Sequence, residues 1–156
     1  MRENNKVVLN LELPAKKYPY PDLRIITQDL IKTFMSVSER WVQRIELIVD
    51  ELINNAAEHG SAPEDYINIV FRITDDNLIK ICVEDKGTGE KSDIDHIKNH
   101  IEKHRSLGTM DNLTNITVRG RGLAHIVTKW SDSWTIEKNK KGGITFESTI
   151  NTNCIN

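Results

Sequence analysis

The chain has 156 residues, with 21 basic and 23 acidic side chains and a net charge of −2. That length suits a single domain, taken here as 1–156, which can bury a core without staples. The near-neutral charge argues against a nucleic-acid-coating or membrane-surface protein. The two cysteines, Cys82 and Cys154, cannot build a disulfide framework or a four-cysteine zinc site. No apolar run approaches the ~20 residues of a membrane span, and the polar N-terminus does not read as a secretory signal. The expectation is a cytoplasmic protein in a reducing compartment, with no direct nucleic-acid or membrane contact.

Val7, Leu9, Leu11 and Leu13 alternate with Val8, Asn10 and Glu12, a period-two pattern that predicts a strand over 6–13. Pro14, Pro19 and Pro21 interrupt regular structure, and Asp22 is placed to cap a helix carrying Leu23, Ile26, Leu30 and Phe34 at helical spacing. Ser38 caps a second helix, with Trp41, Ile45, Ile48, Leu52 and Ala56 on one face. It is expected to end near His59 and Gly60. Residues 66–73 and 78–84 alternate as two strands around the turn signal Asp75-Asp76-Asn77. Ile67, Ile69, Phe71 and Ile73 face inward on the first, and Ile79, Ile81 and Val83 on the second.

From 85 to 122 the pattern changes to a polar stretch with Gly87, Gly89, Gly108, Gly120 and Gly122 and a weak helix over 93–104. A long glycine-bounded segment inside a compact domain points to a functional lid. Leu123, Ile126, Val127 and Trp130 mark a further helix. Trp134 and Ile136 lie on a strand, residues 139–143 form a turn, and Ile144, Phe146, Ser148 and Ile150 alternate on a last strand. The fold class is α+β: a two-layer sandwich, its mixed, mostly antiparallel sheet covered on one face by helices. The tail, 151–156, is expected to fray.

Three segments carry residues suited to chemistry. Glu51 and Asn55 sit four apart on the second helix and share a face with Leu47, Glu58 and His59. The amide oxygen suits Mg²⁺, and the carboxylate can orient or deprotonate a nucleophile. Taken alone, a solvated polar face with i,i+4 pairing accounts for the pair better. Asp85-Lys86-Gly87-Thr88-Gly89 follows a buried strand. A carboxylate there can accept from an exocyclic amine such as adenine's, and glycines let backbone approach a ligand. An ordinary Asp-Gly turn is the plainer explanation. Arg119-Gly120-Arg121-Gly122-Leu123 opens a helix, where free N–H groups and a fork donor suit phosphate. A flexible loop is the plainer explanation there too.

Together, in this order, the segments resemble the ATP-binding domain of the GHKL superfamily of gyrase, Hsp90, histidine kinases and MutL. Glu51 and Asn55 match its N box, and Asp85, Gly87 and Gly89 its first glycine box. Gly120, Gly122 and Leu123 match the second, and Gly142-Gly143-Ile144-Thr145 the Gly-Thr segment before the last strand. The length is similar to that of stand-alone anti-sigma-factor serine kinases. That resemblance implies a Bergerat-type fold with an ATP lid over about 86–121, ATP/ADP and Mg²⁺ as cofactors, a sigma factor and a STAS-type anti-anti-sigma protein as partners, and a possible homodimer. It implies Asp85 on the adenine amine, Asn55 on Mg²⁺ and Glu51 as the catalytic base. Gly87, Gly89, Gly120, Arg121, Gly122 and Leu123 would lie around the nucleotide, with Thr145 beside Asp85. A non-catalytic nucleotide-gated module, or a histidine-kinase-like ATPase domain regulating a partner, is the alternative.

His96, His100 and His104 repeat every four residues, a spacing that can hold Zn²⁺ or Ni²⁺. The polar surroundings favour an exposed lid face instead. Cys82 reads as a small hydrophobe and Cys154 as tail. Trp41, Trp130 and Trp134 read as packing residues, and Lys138, Lys140 and Lys141 as a solvated turn.

Overall fold

The computed structural model describes residues 5–17, 19–87, 91–106, 123 and 128–153, and their side chains except at 5, 59–60, 91–93 and 104–106. Strand β1 (Asn5–Pro14) leads through a 3-10 turn to helix α1 (Pro21–Phe34) and helix α2 (Glu39–Asn55), which runs on into a π-turn, Ala56–Gly60. Strands β2 (Tyr66–Thr74) and β3 (Leu78–Glu84) form a hairpin. Helix α3 (Lys91–Ser106) follows, then β4 (Ser133–Lys138) and β5 (Ile144–Asn151). The five-stranded sheet has the order β1-β2-β3-β5-β4, and every pairing among the described strands is antiparallel. The last hairpin therefore inserts β5 beside β3, and residue 85 at the end of β3 meets the start of β5.

Register explains the core. Leu11, Ile69, Val83, Phe146 and Ile136 lie in one row across the sheet, and Leu9, Phe71, Ile81, Ser148 and Trp134 in the next. Their inner face meets Ile45, Ile48, Val49 and Leu52 of α2 and Leu23, Leu30 and Ile31 of α1, all buried. Each such aliphatic side chain stabilises the fold by about 1.5–3 kcal/mol. Ser148 is fully buried in this layer, and its hydroxyl is satisfied by Ser131 at 2.6 Å.

The sequence expectation for α1 needs correction. Its buried face is Leu23, Thr27, Leu30 and Ile31, while Ile26 and Phe34 are exposed. A buried Thr27 is tolerable because its hydroxyl donates to Leu23 O at 2.7 Å within the same helix. The helix also starts two residues earlier than an Asp22 cap would set it. Tyr20 is the N-cap and Pro21 occupies the first turn, where a missing N–H has no cost. Ser38 caps α2 as expected, accepting from Trp41 N at 3.4 Å. Arg44 lies over the rings of Trp41 (4.8 Å) and Trp130 (5.6 Å), and Trp134 stacks on Phe146 at 6.1 Å.

The expected lid segment, 86–121, includes a helix fixed to the body. Ile101 of α3 is fully buried, Ile94 nearly so, and Ile97 packs beside them. Cys82 is buried on β3, with its thiol pushed up to about 11, chiefly by burial and then by Glu147 and Glu84. It is an inert packing residue.

Candidate functional site

The site has two halves, one at the sheet end and one on α2. At the sheet end, β3 delivers Asp85 into a turn where its side chain is buried. Oδ1 accepts from Ile144 N at 2.9 Å and from Gly87 N at 3.1 Å. The Asp85 backbone is held too: its N–H donates to Ile144 O at 3.0 Å, and its carbonyl accepts from Asn139 Nδ2 at 2.8 Å. No hydrogen bond from the described residues reaches Oδ2, so Oδ1 is tied into the turn and Oδ2 is an acceptor that these residues do not use. Burial pushes the carboxyl above the usual aspartate range. The N–H groups of Ile144 and Gly87 oppose that shift, and the negative charge of Asp65 adds to it.

The turn before β5 is shaped around this carboxylate. Asn139 Oδ1 accepts from Lys141 N and Gly143 N at 3.0 Å each, closing an Asx-type turn. Gly142 takes φ +89°, which favours glycine. A Cβ on Gly143 would lie 2.1 Å from Asp85 O and 2.5 Å from Asp85 Oδ1. Glycine is what lets the turn close on Asp85. Thr145 stands opposite Glu84 in the β3–β5 register, and its hydroxyl reaches Glu84 Oε1 at 3.5 Å.

On α2, Asn55 Nδ2 donates to the Glu51 carbonyl at 2.8 Å. That bond uses the amide's donor side and leaves Oδ1 as an oxygen available to a cation. Glu51 is half-buried, and its carboxyl is raised by burial first, then by Asp50 and Glu58. The α-helix ends at Asn55 and widens into the π-turn, a distortion frequent at functional sites. Asn54 Oδ1, beside Asn55, is buried without a hydrogen-bond partner among the described residues. The α2 helix packs across β3, the strand that ends at Asp85.

The histidine kinase-like ATPase domain family matches residues 13–146. This chain belongs to it. The match runs from the end of β1 to the middle of β5 and takes in both halves of the site.

The ATPase domain is also similar to solved structures. A chain of the SiaB–SiaC complex from Pseudomonas aeruginosa superposes with a TM-score of 0.63 at 11% identity, over 96% of this chain and 91% of that one. The histidine kinase domain of the blue-light activated histidine kinase EL346 from Erythrobacter litoralis gives 0.51 at 17% identity, over 72% and 45%. A second structure of that kinase gives 0.52 at 17% identity, over 76% and 32%. The domain thus spans less than half the length of either Erythrobacter chain. At these identities the likeness is one of fold. Among curated proteins none matches in sequence.

Asp85, Gly87 and Thr145 converge at one sheet end, and Glu51 and Asn55 on one helix face. Leu123 is helical and buried in the core, which leaves its backbone, not its side chain, for any ligand. Gly89, Gly120, Arg121 and Gly122 lie outside the described residues, as does the side chain of His104. His96 is exposed and His100 half-buried, and no group of three metal-ligating side chains occurs among the described residues. No helix among the described residues is long and apolar enough to cross a membrane. Sequence reasoning placed Asn139 only in a turn. Its role as the clamp on Asp85 spans 54 positions and has no local signature beyond an asparagine opening a Gly-Gly turn.

Proposed function

We propose that this ATPase domain is a cytoplasmic serine kinase and anti-sigma factor, which binds a sigma factor and phosphorylates a serine of a STAS-type antagonist protein. The observation that carries the reading is the divided Asp85 carboxylate: Oδ1 is locked by two N–H groups and Oδ2 is left over at the end of a buried strand. An acceptor held so rigidly suits the exocyclic amine of adenine, with the Thr145 hydroxyl alongside. Gly143 supports the fit, because any Cβ there would fill the space the turn needs around that carboxylate.

The helix half supports transfer. Asn55 Oδ1 is the oxygen available to Mg²⁺, which when bound supplies neutralisation of phosphate charge. The Glu51 carboxylate takes the proton of the acceptor serine as its oxygen bonds to the γ-phosphorus. The bond from that phosphorus to the bridging oxygen breaks, and ADP departs. The raised Glu51 carboxyl brings the base closer to working pH. Catalysis by such a domain is positioning and charge stabilisation. The protein-partner reading draws support from the fold's occurrence in a two-protein complex, SiaB–SiaC.

The test is incubation of the chain with Mg-ATP and a panel of purified STAS-domain proteins, read by intact mass and by site mapping. One phosphate on one serine, lost with Glu51→Ala, is the expected result. Nucleotide binding with no transfer to any panel member, and partner regulation unchanged in Glu51→Ala, would replace the kinase with a nucleotide-gated binding module.

A further inference from the structure

The start of helix α1 meets the C-terminal half of α2, and the junction holds a cavity of about 290 Å³ that neither half of the site uses. Its depth is apolar, lined by Leu23 and Ile53 at 4% and 1% exposure. Its rim carries the exposed Pro19 and Pro21, with Tyr20 between them. The Tyr20 hydroxyl donates to Pro14 O, which fixes the ring as a wall. Arg24 and Asp50 complete the lining. The volume falls just short of the roughly 300–1,000 Å³ of pockets for whole small molecules. It suits one long side chain.

Charge decides which side chain. The lining's cation, Arg24, faces two carboxylates, Asp50 at 2.5 Å and Glu46 at 3.8 Å. That engagement leaves no surplus positive charge for an anion. Asp50 gives Oδ2 to Arg24, and no hydrogen bond or ion pair among the described residues reaches Oδ1. An apolar group in the cavity would strip water from that oxygen and return no hydrogen bond. A cationic group on an aliphatic stem satisfies both ends. The stem packs on Leu23, Ile53 and the proline rings, and the N–H groups meet Asp50.

We infer that this cavity takes a basic side chain, with its aliphatic stem inside and its charge on Asp50, from the acceptor protein that docks beside Glu51. Asp50 sets the place, because it lines the cavity and adjoins Glu51 in the chain. A protein that brings a hydroxyl to Glu51 must cover α2 at this level. A single basic side chain seated in a pocket is a common anchor of protein interfaces. The inserted charge also offsets Asp50, one of the carboxylates that raise Glu51, so docking acts on the base. The acceptor's identity rests on the proposed function. The charge preference of the cavity does not.

NMR titration of the full chain with N-acetyl-arginine amide, and with its citrulline, glutamate and leucine counterparts, tests it. The arginine probe should shift the resonances of Tyr20, Leu23 and Ile53 and saturate in the millimolar range. Citrulline, of the same shape without the charge, should bind about tenfold more weakly. Asp50→Asn should weaken the arginine probe by about tenfold. Arg24→Gln leaves both carboxylates uncompensated and should tighten it several-fold. A general loosening of the α1–α2 junction would instead weaken the probe in both variants. Mg-ATP affinity should be the same in both as in wild type. With a phosphorylated acceptor in hand, Asp50→Asn should raise its KM and Arg24→Gln should lower it. No shift at the three residues, equal binding of arginine and citrulline, a preference for glutamate or leucine, weakening in Arg24→Gln, or an acceptor KM indifferent to both variants would each overturn the inference. Transfer to an acceptor with no arginine binding removes the cavity assignment alone. Saturable arginine binding with no transfer to any protein keeps the charge preference and removes the kinase reading.

Discussion

The two halves of the site are built in different ways. Asp85 sits at the end of a buried strand, with its carboxylate and both backbone polar groups held by Ile144, Gly87 and Asn139. Glu51 sits half-buried on a helix that widens one turn later, with its carbonyl tied to Asn55 and its charge crowded by Asp50 and Glu58. On the proposed function, the contrast separates recognition from chemistry. A group that selects a ligand gains from rigidity, because ordering is complete before binding. A proton acceptor gains instead from surroundings that raise its carboxyl toward working pH.

The contrast can be broken most severely at Glu51. Glu51→Gln keeps size and helix propensity but removes the proposed base. Phosphoryl transfer should fall by about 10²- to 10⁴-fold, with Mg-ATP affinity retained, as measured by single-turnover kinetics.

Asp85→Asn should do the reverse. The asparagine oxygen can keep both N–H bonds, which places its NH₂ where the ligand amine would arrive. Donor then faces donor, and affinity should fall by about a hundredfold in calorimetry while the fold persists. The same variant carries a pH signature. The folded state raises the Asp85 carboxyl, so it holds this proton more tightly than the unfolded chain. The group's contribution to stability is complete below the unfolded value and is lost as pH rises through the folded one. Asp85→Asn should remove that slope from pH-dependent unfolding curves.

Gly143→Ala sharpens the recognition half. The added methyl meets Asp85 O and Oδ1, and relieving that contact should cost about 1–3 kcal/mol in denaturant unfolding. The smallest effect is expected at Asp50, which pairs with Arg24 at 2.5 Å and raises its neighbour Glu51. Asp50→Asn should move the acid limb of the transfer pH profile to lower pH. Arg24→Gln, which leaves Asp50 uncompensated, should move it higher.

Strand periodicity made the sheet legible in the sequence, because each inward residue of β2 and β3 is a large apolar side chain with a polar or smaller neighbour. The helix faces were less legible. Ile25, Ile26 and Phe34 of α1 offer more apolar character than one buried stripe requires, and a threonine takes a core position because its hydroxyl bonds within the helix. Asp85, Glu51 and Asn55 could be read from their place before glycines or four apart on a helix. Asn139 could not, since its bond to Asp85 depends on β5 entering the sheet beside β3. The π-turn after Asn55 likewise has no periodic signal.

The most direct measurement is a calorimetric titration of Mg-ATP into wild type, Glu51→Gln and Asp85→Asn under one set of conditions. The account predicts that Glu51→Gln binds as wild type does and that Asp85→Asn does not bind in the same range. Equal loss in both variants, or undiminished binding by Asp85→Asn, would contradict the division of the site into a recognition half and a chemical half.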